Sequence, residues 1–65
     1  MLTPEDVETL ASSLAPSYDG STWSPAWGGI LVTCGTTLLK RGDYSPQNQD
    51  RVIRRILEIV QETPS

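Results

Sequence analysis

Between Gly20 and Leu39 the chain carries no charge: GSTWSPAWGGILVTCGTTLL. In a protein of 65 residues this is close to a third of the sequence. A domain of that size buries only about 60% of its unfolded surface. The conformation of this stretch therefore decides the fold.

Three conformations compete for it. A membrane span is suggested by Trp23 and Trp27 at one end and by Lys40 and Arg41 at the other. Against it stand three glycines, a proline and a run of serines and threonines, too polar for a segment that needs about 20 mostly apolar residues. No membrane span is expected. A β-hairpin places strands near 29–33 and 36–41 around Thr33-Cys34-Gly35, with Gly35 in the left-handed position of a bulged loop. A helix from Ser24 puts Trp27, Ile30, Leu31, Cys34 and Leu38 on one stripe at i, i+3, i+4, i+7 and i+11.

Punctuation favours the helix. Ser24-Pro25 suits a helix start, since the hydroxyl accepts an orphan N–H and proline at N1 has none to leave unpaired. Lys40 and Arg41 fall where the helix dipole welcomes cations, and Gly42 suits the stop. Propensity opposes it, because each of Gly28, Gly29 and Gly35 costs about 1 kcal/mol against alanine. The hairpin carries apolar residues on both faces, Ile30, Val32 and Leu39 on one, Leu31 and Leu38 on the other, which a hairpin wet on one side does not need. On the helix, Gly28 and Gly35 share a side with Val32 and Leu39 and predict the close approach of another backbone.

The same Ser/Thr-Pro opening recurs at Thr3-Pro4, Ser45-Pro46 and Thr63-Pro64, without any accompanying repeat. After Pro4, Val7, Leu10, Ala11 and Leu14 form an apolar stripe, with Glu5 and Asp6 in the first turn and Pro16 at the end. After Pro46, Val52, Ile53, Ile56, Leu57, Ile59 and Val60 cover an arc of roughly 160° at about 100° per residue. That is wider than one neighbour requires, so this helix packs on two elements or reserves part of its face for a partner. The expected architecture is a single all-α domain over 1–65, a small three-helix bundle with helices at about 4–15, 25–41 and 46–62. An ordered connection over 16–23 bears Tyr18 and Trp23 near the core edge, and a polar tail occupies 63–65. The alternative is an α+β order, αββα, with the hairpin at about 29–41.

Residue chemistry argues against catalysis. The chain has no histidine, which removes the commonest general base and metal ligand together with every Ser-His or Cys-His arrangement. Cys34 lies inside the apolar stripe, where a thiol is inert unless its pKa is lowered. Glu5, Asp6, Glu8 and Asp19 lack the alternating oxygen-ligand spacing of a calcium loop, and Gly28-Gly29 fits no phosphate-binding loop. No enzyme, cofactor or metal is expected. A single cysteine and the absence of a basic n-region before an apolar run predict a cytoplasmic setting.

Two features point to binding. The formal charge of −3 disfavours a general nucleic-acid binder, yet all five basic residues lie between 40 and 55. Lys40, Arg41, Arg51, Arg54 and Arg55 face only Asp43 and Asp50 there, a net +3 that leaves −6 on the rest of the chain. Arg51, Arg54 and Arg55 also sit in the first half of their helix, against its dipole. The plain alternative is a surface ladder of Arg54 to Glu58 and Arg55 to Glu58 or Glu62. The expected function is a non-enzymatic protein-interaction or self-assembly module, an accessory protein or excised domain, that uses the wide apolar face of the last helix around Ile59 and Val60. Its partner is another protein or a second copy in a homodimer. The alternative is a nucleic-acid-binding or other anion-binding module working through the 40–55 patch.

Overall fold

Each helix opens on its hydroxyl-proline pair. In the computed structural model, which describes residues 1–62, α1 spans Pro4–Leu14, α2 spans Pro25–Arg41 and α3 spans Pro46–Glu62. Thr3 accepts the Asp6 N–H at 3.0 Å while the Asp6 carboxylate accepts the Thr3 N–H at 3.0 Å, a reciprocal capping box. Ser24 accepts the Trp27 N–H at 3.4 Å, and Ser45 accepts the Asn48 N–H at 3.0 Å. The polar tail at 63–65, with Thr63-Pro64, lies outside the described residues.

α1 does not stop dead at Pro16. It tightens after Leu14 into a single 3₁₀ turn, Ala15–Ser17, which Pro16 tolerates because it supplies no interior N–H to the ladder. From there the connection is ordered by its own polar groups. Asp19 Oδ1 accepts the Ser21 N–H at 3.2 Å and the Ser24 hydroxyl at 2.8 Å, and Ser21 Oγ accepts the Trp23 N–H at 3.0 Å.

The charge-free stretch is helical, and no strand occurs among the described residues. Trp27, Ile30, Cys34 and Leu38 are all buried on its inner side, with Leu31 half-buried beside them. Burying four such side chains returns roughly 6–12 kcal/mol. Three helical glycines cost about 3 kcal/mol. Packing thus outweighs propensity, and the hairpin over 29–41 is not formed. Gly42 ends the helix with φ 75°, while the Asp43 N–H reaches the Leu38 carbonyl at 2.9 Å and the Gly42 N–H reaches that of Leu39 at 3.0 Å. These two bonds are the Schellman pair, and Arg41-Gly42-Asp43 is accordingly a helix stop.

α3 packs chiefly on α1 and secondly on α2, so the bundle is all-α with α3 as its keystone. Val52 and Ile56 from α3 join Val7, Ala11 and Leu14 from α1 and the inner stripe of α2, with Leu2 and Ala15 closing the ends. Tyr18 packs edge-on against Trp27, with ring centroids 5.5 Å apart. Among the described residues no polar or charged residue is buried.

Two expectations fail in detail. Gly28 and Gly35 do not admit a neighbouring backbone: a Cβ at Gly28 would meet nothing within 4 Å, and one at Gly35 would meet the Gln49 side chain at 3.1 Å. Nor does Trp23 pack at the core edge. It is 94% exposed, because the hydrogen bonds of the 19–24 turn fix the backbone and leave the ring outside.

Candidate functional site

The outer side of α2 is built from residues the bundle does not use. Pro25, Gly29, Val32, Thr36 and Leu39 follow one another at steps of four, three, four and three residues. That spacing keeps them in one narrow stripe, on the side opposite Ile30, Cys34 and Leu38. All five are exposed, Val32 at 69% and Leu39 at 64%. Gly28 and Thr33 flank the stripe, and Gly29 and Thr33 slope into a shallow depression shared with Leu14, Ala26 and Ile30. With only two other helices to pack against, α2 buries one side and leaves this one open.

This face carries the largest exposed apolar side chains of the helices and no charge until Lys40. Trp23, also exposed, lies in the turn just before α2. Isolated exposed apolar residues are ordinary; two of them on one uncharged helical stripe, with an exposed tryptophan in the turn before it, set this side of the bundle apart. The 4-3-4-3 spacing was readable in the sequence. It was hidden by the brighter inner stripe, and because Gly29 and Thr36 contribute almost nothing to hydropathy.

The basic residues do not assemble into an open patch. Arg41 pairs with Asp6 at 3.1 Å and Asp43 at 3.4 Å, Arg54 with Asp50 at 2.6 Å, and Arg55 with Glu8, Glu58 and Glu62. Arg51 donates to the Leu2 carbonyl at 2.9 Å and to Asn48 Oδ1 at 3.2 Å, tying the N-terminal segment to α3. That contact, and the link from Arg55 to α1, give structural reasons for placing cations early in α3 despite the dipole. The ladder therefore forms for Arg55, while Arg54 turns to Asp50 rather than Glu58. Arg51, Arg54 and Arg55 do line one depression, but Glu8 and Glu58 line it with them. Lys40 is exposed and makes no ion pair among the described residues.

On α3, Ile59 and Val60 are half-buried, as are Ile53 and Leu57. The width of the apolar arc is used by two neighbours, α1 on one flank and α2 on the other. What remains open is a depression where Val60 and Leu57 meet Tyr18 and Gly20. Cys34 is fully buried and its thiol pKa is pushed up by that burial. No group of three potential metal ligands occurs among the described residues.

The ion pairs predict an acid limit to stability. The Thr3 N–H and hydroxyl, then Arg41, hold Asp6 below the ordinary carboxylate range; Arg55 does the same for Glu8. For Asp43 the cause is first the N-terminal ammonium, 3.0 Å away, and then Arg41. Each folded pKa lies below its unfolded value, so the stabilisation is complete above about pH 5 and is lost as pH falls through the folded values. Thermal melts should be level between about pH 5.5 and 7.5 and decline below about pH 5. Glu8→Gln should flatten part of that decline, and 1 M salt should shrink it, since these pairs are exposed and screened.

Among the described residues no helix is long and apolar enough to cross a membrane. Compared with protein-family models, curated proteins and solved structures, the chain matches none.

Proposed function

We propose that this protein is a non-enzymatic interaction module whose docking surface is the outer face of α2. The observation that carries the reading is the uncharged, exposed stripe of Pro25, Gly29, Val32, Thr36 and Leu39, with exposed Trp23 in the turn that precedes it. The remaining chemistry supports it indirectly. The one thiol is buried and there is no histidine, so no side chain stands out as a nucleophile or general base. Four of the five basic residues are already engaged within the chain, which removes most of the free charge an anion-binding role through residues 40–55 would need. The α3 surface around Ile59 and Val60 ranks second, because both residues are already half-covered.

The test is photo-crosslinking in cells from a probe at Thr36, with Ser12 on the exposed side of α1 as the control position. A protein adduct from Thr36 that is absent from Ser12, and lost in Val32→Glu, is the expected outcome. Equal labelling from the two positions would remove the reading. Val32 is exposed enough for the glutamate to leave folding intact, and circular dichroism checks that.

A further inference from the structure

Resting on the reading of α2 as a docking face, we infer that its occupant is a second copy of this chain, paired antiparallel through α2. Two observations lead there, and a third sets the strength of the pair. The first is the order of sizes along the stripe. The antiparallel register that sets Leu39 in one layer with the partner copy's glycine at position 29 also sets Val32 with threonine at position 36. The largest side chain of the stripe then meets the smallest, and the near-isosteric valine and threonine meet each other. A parallel pair instead stacks glycine on glycine and leaves that layer empty.

The second is charge. Lys40 and Asp19 make no ion pair within the chain among the described residues, and they stand at opposite ends of α2, with Asp19 held at the N-cap by its hydrogen bond to Ser24. A two-fold axis across α2 carries each copy's Lys40 end to the other's end bearing Asp19 and Trp23. The lysine there gains both a carboxylate and an exposed indole face. The antiparallel arrangement also opposes the two helix dipoles. A parallel pair brings Lys40 and Arg41 against the same two cations. Between the ends nothing is charged, so an identical face meets no repulsion.

The third is area. α2 has 17 residues, about 25 Å of helix at 1.5 Å per residue. One helix face of that length plus a tryptophan buries a few hundred Å² per copy, below the roughly 800 Å² per partner of standard stable complexes. The dimer is therefore weak, with dissociation near 10–1,000 μM, on the order of −7 to −4 kcal/mol when converted from those constants.

Sedimentation equilibrium of the purified chain from about 10 μM to 1 mM reads this directly. The expected result is an average mass that rises from one chain towards two, and a dissociation constant raised at least about tenfold by Leu39→Glu with the helical signal unchanged. Orientation is read by a spin label on Thr22→Cys mixed with isotopically labelled chains. Cys34 is fully buried and leaves the new thiol as the site of attachment. Broadening centred on residues 39–44 supports the antiparallel pair, whereas broadening centred on 22–29 overturns it. A chain that stays monomeric at 1 mM overturns self-pairing. If that monomer still gives Thr36-specific adducts to a different protein in cells, the docking face stands and the second copy is excluded; if neither occurs, both fail.

Discussion

Ile56→Ala is expected to abolish the folded state at 25 °C, seen as loss of most of the helical signal and of any cooperative melt. Ile56 is fully buried in the core that α3 forms with the other two helices. Truncating a buried isoleucine to alanine costs about 2–5 kcal/mol, and a domain of this size rarely has more than about 3–5 kcal/mol in total. Val32→Ala removes a comparable apolar side chain from an exposed site and is expected to change stability by less than about 0.5 kcal/mol. Urea titrations of the two variants separate the cases. A cooperative transition for Ile56→Ala within 1 kcal/mol of the parent would mean that α3 is not the keystone of this bundle.

The same contrast shows what kind of information the sequence held. Periodicity located all three helices, because the inner residues of each are apolar at helical spacing and no polar side chain had to be buried. Punctuation placed the boundaries: Thr3, Ser24 and Ser45 cap as their proline neighbours suggested, and Gly42 stops α2 in the left-handed conformation. Propensity misled at α2, where a local penalty of a few kcal/mol competes with a larger tertiary gain that a single helix cannot show.

Long-range pairing was beyond reach for a different reason. The clustering of five basic residues between 40 and 55 is a fact of sequence, but two of them, Arg41 and Arg55, find Asp6 and Glu8 on α1, and only the packing of α1 on α3 and α2 brings those pairs close. Charge that is segregated along the chain is thereby intermixed on the surface. The wide arc of α3 resolves in the same way, since its two flanks face two neighbours, and apolar residues without neighbours turn up on α2 instead.

Gly28→Ala combined with Gly29→Ala tests both the fold and its use. Each glycine is helical, and an added Cβ would touch nothing within 4 Å. Each replacement should therefore stabilise by about 0.5–1 kcal/mol, by restricting the unfolded chain and burying no clash. Together they should raise the melting temperature by about 5–15 °C in a domain of this size. Gly35→Ala should gain less, because its Cβ would press on Gln49 Oε1 at 3.1 Å and displace that side chain. The bundle gains nothing visible from the two open glycines, so a chain selected for stability alone would have alanine there. If Gly29 is kept small to admit a leucine from a second copy, the double variant must melt higher at micromolar concentration yet associate more weakly at millimolar. Gain in both would separate the glycines from docking and leave them as unoptimised positions. The opposite movement of the two measurements is the expected result, since the methyl group that restricts the unfolded chain also occupies the space into which the facing helix would pack.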